Sequence, residues 1–180
     1  MVAGKETARL SGSDTVQGAV ETIEQYFDNG WTDGLPIVPP TEELVGRMLE
    51  ALGRDPMEVL GIIPPRMGVA TVEAVATNAA MAGCRPEYMP VVIAAVEAVL
   101  EESFDLRGLQ ATSDPAAPMV IVSGPVVEQV GINHGIGLFG HGSRANATIG
   151  RALRLIMVNL GGGHPDRSEE HTSELQSRAY

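Results

Sequence analysis

The stretch VATVEAVATNAAMAGCRPEYMPVVIAAVEAVLEE, residues 69–102, decides the class of fold. Val69 to Met81 is apolar, alanine-rich and free of proline, which predicts a tightly packed helix, and Gly83 supplies its left-handed stop. Pro86 then stands where a helix start tolerates a missing N–H, with Glu87 behind it at the positive end of the dipole. A second helix is therefore expected through about Glu102, with Pro90 still near its first turn. It is almost continuously apolar from Met89 to Leu100, which places it at the centre of a core. A chain whose most apolar segments are both helical builds that core on helices.

Working outward, Val16, Val20, Ile23, Tyr26 and Phe27 recur at helical spacing, and Asn29-Gly30 ends that helix. Trp31 to Pro40, WTDGLPIVPP, carries three prolines and a glycine and predicts an extended loop. Thr41, followed by Glu42 and Glu43, predicts an N-capped helix to about Leu52. Asp55-Pro56-Met57-Glu58 has the same pattern and predicts a further helix start, while Leu60 to Pro65 is a strand end or an extended loop. Leu106 to Thr112 and Met119 to Val122 have the length and content of strands, the second ended by Gly124-Pro125. A glycine-bearing stretch, Gly131 to Gly142, leads into a helix from about Arg144 to Leu160, followed by Gly161-Gly162-Gly163. Few short strands separated by helices give a helix-rich α/β or α+β fold.

The chain has 180 residues, 44% of them hydrophobic, enough for one globular domain, expected over 15–166 behind a small polar arm over 1–14. With 12 Lys+Arg against 23 Asp+Glu, a net charge of -11 disfavours wholesale nucleic-acid binding. No apolar run reaches the roughly 18 residues of a membrane span, and the polar start lacks a signal-peptide core, so a cytoplasmic location without a membrane partner is expected. A single cysteine, Cys84, excludes an internal disulfide and a multi-cysteine zinc site. Arg167 to Ser177, RSEEHTSELQS, is the in-frame translation of a common sequencing-library adapter. Residues 167–180 are accordingly expected to be an artefactual tail, and the natural gene to continue past about Asp166, leaving an N-terminal fragment. A homo-oligomer or a second subunit stays open.

The strongest asymmetry lies between Gln129 and Pro165, which hold no Asp or Glu but include Arg144, Arg151, Arg154, His134, His141 and His164. At 100° per residue the three arginines fall within roughly an 80° arc, opposite Ile149, Leu153, Ile156, Met157 and Leu160. Arg144 near a helix N-terminus opposes the dipole by ~0.3 to 1 kcal/mol and asks for a compensating anion. Gly140 and Gly142, with Gly135 and Gly137 before them, let backbone N–H groups approach a ligand closely. Ser143, Asn146 and Arg151 complete a candidate site for a carboxylate or phosphate. The alternative is an irregular turn whose arginines pair with acidic residues elsewhere. Neither a dinucleotide fingerprint nor a P-loop is present, no cofactor is indicated, and His134 and His141 make a weak metal signal with no acidic neighbour.

Two further groups could carry chemistry. Cys84 lies ahead of a helix start and beside Arg85, both of which would lower its pKa and make it a nucleophile or redox thiol; otherwise it fills a helix junction. Asp33, in a loop with the only Trp, is a candidate acid or base, or else a turn former.

The segments GWTDGLPIVPPT (Gly30 to Thr41), NAAMAGCRPEYMPVV (Asn78 to Val92) and GSRANATIGRALRL (Gly142 to Leu155) resemble an uncharacterised bacterial and metagenomic family, sometimes met in company with UGSC-motif (seleno)proteins. The resemblance covers most of residues 16–163 and implies longer homologous chains, but no reaction. This chain has no UGSC or CGSC motif, so a selenocysteine-type redox role is not carried over. The expectation is an enzyme or enzyme subunit acting on a small anionic metabolite, thiol-dependent or a lyase or hydratase. The alternative is a non-catalytic binding or assembly domain that docks a cationic helix face on an acidic partner.

Overall fold

A computed structural model describes residues 16–112 and 116–164; the expected arm and tail lie outside them. Helix α1 (Val16–Asp28) ends where Gly30 turns left-handed at φ 67°, and the Trp31 N–H returns to the Tyr26 carbonyl at 2.9 Å. Tyr26, fully buried, meets Trp31 edge-on with ring centroids 5.1 Å apart, which fixes the direction of the next loop. Helix α2 (Glu42–Leu52) starts as expected, its Thr41 cap accepting from the Leu44 N–H, and buries Val45 and Met48.

No helix starts at Asp55. The Asp55 carboxylate accepts from the Met57 N–H at 2.9 Å and its carbonyl from the Glu58 N–H at 3.0 Å, a turn in which the side chain serves the loop instead of a helix end. The β-branched residues beyond it extend as β1 (Val59–Ile63), antiparallel to β2 (Gly68–Thr71). Val69 to Thr71 therefore belong to a strand, not to the helix expected from Val69. Helix α3 (Val72–Ala82) begins later because Thr71 caps it, accepting from the Ala74 N–H, and the Val72 and Glu73 N–H groups donate to the Glu58 and Pro56 carbonyls. It ends at Gly83, φ 87°, as expected.

Pro86–Tyr88 form a single 3-10 turn ahead of α4 (Met89–Leu100), which buries Met89, Val91, Val92, Ile93, Ala95, Val96 and Val99. Residues 106–112 are not a strand. Asp105 accepts from the Gly108 N–H and opens helix α5 (Leu106–Ala111), whose Leu106 and Gln110, one turn apart, face inward. Met119 to Val122 run extended, yet pair with no strand among the described residues. A short α6 (Val126–Val130) and the glycine loop lead to α7 (Arg144–Asn159). The class is helix-rich α+β, with seven helices and one two-stranded hairpin among the described residues.

Helix α3 lies against α7, α2 and α4, so the core runs from Tyr26 through Val75, Ala79 and Met89 to Leu153 and Ile156. The hairpin closes against the far end of α7 at glycines. A Cβ on Gly68 would stand 2.2 Å from the Leu160 carbonyl oxygen, and one on Gly161 2.5 Å from that of Met157. Gly68→Ala should therefore lower stability by about 1–3 kcal/mol in urea unfolding, because backbone must move. Gly46→Ala, inside α2 with open space around it, should raise stability by about 0.5–1 kcal/mol.

Candidate functional site

The segments that carry Asp33, Cys84 and Arg144 meet on one face of α7. Arg144, Thr148 and Arg151 succeed one another at helical spacing over about 10 Å of axis. Arg151 meets Asp33 of the proline loop, the Thr148 carbonyl meets Cys84, and Arg144 meets the end of α3.

Arg151 and Asp33 form a bidentate pair. Nε donates to Oδ2 at 3.0 Å and Nη2 to Oδ1 at 2.9 Å, while Nη2 also reaches the Leu35 and Pro36 carbonyls at 3.2 and 2.8 Å. The side chains are only 14% (Asp33) and 19% (Arg151) exposed. Burial acts to raise the Asp33 carboxyl, but the hydrogen bond and charge of Arg151, with backbone N–H groups, outweigh it and hold the group below its ordinary value. A carboxylate so held is a poor proton donor or acceptor near neutrality. Arg151, expected as an anion ligand, already has its anion, because the rigid turn delivers Asp33 to it across the fold.

Cys84 is 3% exposed, and its thiol donates to the Thr148 carbonyl at 3.3 Å. Burial pushes the thiol up to about 11, more than the Arg144 charge and Thr148 pull it down. The expected lowering is reversed. The chain beyond Cys84 forms one 3-10 turn rather than an α-helix terminus, and Arg85 points to solvent. The residue fills the junction between α3 and α7.

At the N-terminus of α7, Ser143 accepts from the Asn146 N–H and donates to Asn146 Oδ1 at 2.7 Å. That same Oδ1 accepts from the Asn133 N–H at 2.8 Å, and Nδ2 donates to the Asn133 and Leu138 carbonyls at 2.9 and 3.1 Å. Every polar position of Asn146 is engaged in stapling the glycine loop to the helix, which leaves it no bond for the anion it was expected to hold. Gly140 donates to the Gly137 carbonyl at 2.7 Å, and Gly142 has φ 105°, so both serve the loop's own course. Arg144 is exposed, and only its Nε is bonded, to the Gly83 carbonyl at 2.9 Å. The negative end of α3 thus offsets the positive charge at the start of α7, a compensation expected of a bound anion. Arg154 is exposed, and His134 meets Glu128 at 3.1 Å on the surface.

Sequence reasoning missed the groups that join these parts. Asn78, fully buried in α3, donates to the Ala74 carbonyl, and its Oδ1 accepts at 2.7 Å from Asn159 Nδ2, which also donates to the Trp31 carbonyl. The signal was a lone Asn inside an alanine-rich helix, since a buried amide needs partners. Asn133 and the Thr148 carbonyl carried no such mark. Among the described residues no cluster of three or more His, Cys, Asp or Glu could hold a metal ion, and no helix is long and apolar enough to cross a membrane.

Two measurements check this geometry. Cys84 should react with iodoacetamide at pH 7.5 more slowly than a free model thiol by at least about tenfold, since thiolate fraction and access are both reduced. Asp33→Asn should cost about 1–3 kcal/mol near neutral pH. Because the folded carboxyl titrates lower than the unfolded one, that difference should persist down to about pH 4 and shrink as pH falls further, which unfolding midpoints across pH would register.

No family model, curated protein or solved structure matches the chain, so its function has to be inferred from this geometry.

Proposed function

We propose that this is a non-catalytic binding domain that engages a negatively charged partner through the exposed cations around Arg144. The observation that carries this is the uneven engagement of the candidate groups. Asp33 is clamped and Cys84 is buried, whereas Arg144 keeps both Nη groups free at an exposed position. Arg85 is exposed two residues beyond the carbonyl that holds it, and neither arginine forms an ion pair with a described residue. A guanidinium held at Nε and open at its other nitrogens is preset to receive a carboxylate or phosphate from outside. In a chain of net charge -11, such a surface selects for orientation as well as for charge.

A second reading, an enzyme acting on a small anionic metabolite, is favoured by the meeting of Asp33, Cys84 and Arg144 on one face of α7. It requires the Asp33–Arg151 pair to open before either group is usable.

The two readings separate in one titration. Binding of polyglutamate and of inorganic phosphate, followed by thermal shift and calorimetry, should weaken by about tenfold in Arg144→Ala, the loss of a charge-assisted contact. It should be unchanged in Cys84→Ala. Equal binding by wild type and Arg144→Ala would remove the proposal, and turnover of a carboxylate substrate lost in Cys84→Ala would replace it with the enzyme.

A further inference from the structure

Away from the cationic face, α4 and the extended segment after α5 enclose a groove of about 410 Å³. Its floor includes Pro90, Ala94 and Ala98, one turn apart on the exposed side of α4, and Phe104 helps to close it. Its wall is Met119 to Val122, the segment with the strand sequence and no strand. The side chains alternate as in a half-buried strand: Val120 and Val122 pack on the core, while Met119 and Ile121 are 67% and 81% exposed. None of the backbone N–H or C=O groups of Met119 to Val122 hydrogen-bonds to another described residue. An extended, apolar run with its ladder groups open is the chemistry of an edge that accepts another strand.

We infer that the edge at Met119–Val122 pairs antiparallel with the same edge of a second copy of this chain. Charge selects that occupant. Residues 116–127 hold no charged side chain, and no groove-lining residue is charged, in a molecule of net charge -11. Two copies repel one another over most of their surfaces, whereas the residues that would meet here, 116–127 and the groove lining, carry no charge. The edge is also self-complementary. About a two-fold axis through Val120, Met119 of one copy lies opposite Ile121 of the other, so the exposed faces match and each valine stays on its own core. The pairing gives the open N–H and C=O groups their ladder and covers the groove with the partner's Met119 and Ile121.

The test uses the 180-residue chain. Sedimentation equilibrium at up to about 100 μM should show a monomer–dimer equilibrium, and hydrogen exchange should slow at least about tenfold in residues 119–122 as concentration rises. Ile121→Lys and Met119→Glu lie at exposed positions, should keep the monomer's circular dichroism, and should abolish both effects. A monomer throughout this range, an open-ended series of larger species, or a dimer that survives Ile121→Lys with residues 119–122 exchanging freely would each overturn the inference.

Discussion

Helix α7 has to bury one face against α3 while the other face carries arginines into a region with no acid of its own. That constraint organises most of the molecule. The buried side uses Ile149, Leu153 and Ile156 and carries a side-chain amide tie from Asn159 to Asn78, besides the Cys84 thiol on the Thr148 carbonyl. A wholly buried amide such as Asn78 has to be paired, so the tie also fixes how the two helices register. The same Asn159 holds the Trp31 carbonyl, which sets the course of the proline loop and brings Asp33 to Arg151. Position on the exposed face thus depends on pairing on the buried one.

The arginines are accommodated by two different devices. Arg151 is matched with a carboxylate from about 118 residues away in sequence, which is why the local absence of acid did not predict a free cation. Arg144 is matched with a backbone end. Its place at the start of α7 is unfavourable for that helix taken alone, yet the same position faces the terminus of α3, where a cation is favoured. The two dipole effects oppose each other, and the 2.9 Å bond to the Gly83 carbonyl adds to the favourable one. A cation held by a carbonyl leaves a net positive charge at the surface, whereas the charges of the Arg151–Asp33 pair offset one another, and this difference separates Arg144 from Arg151 as a binding group.

How much could be foreseen depended on whether a residue's partner was local. Thr41 and Gly83 act within their own turns, and both behave as their sequence neighbours dictate. Asp55 carries an equally good cap signature, but the choice between turn and helix was made by Val59, Ile62 and Ile63 finding β2, a contact no local pattern contains. Leu106 to Thr112 failed in the opposite sense: its apolar content suited a strand, and the Asp105 cap made a helix of it. In the site, the residue types were legible and the pairings were not. Cys84 was read from the helix and arginine beside it, but what governs its thiol is burial under α7, reached across 64 residues of chain.

Met119 to Val122 shows the limit of that rule from the other side. Its strand content is real, since the backbone is extended and the side chains alternate, and what is missing is only the neighbour. Local sequence specifies the conformation of a strand; a sheet needs a second chain segment, and among the described residues the one hairpin is occupied with itself. On the face of α7 most positions that look open in sequence are closed by their partners, Asn146 most completely. Along this edge the reverse holds: a segment that should have been paired stands unpaired beside a groove without charge. Backbone groups are the one class of polar group every residue must satisfy, so an edge whose N–H and C=O groups make no bond to another described residue, beside two exposed apolar side chains, is the place where the local pattern leaves a demand that the described fold does not meet.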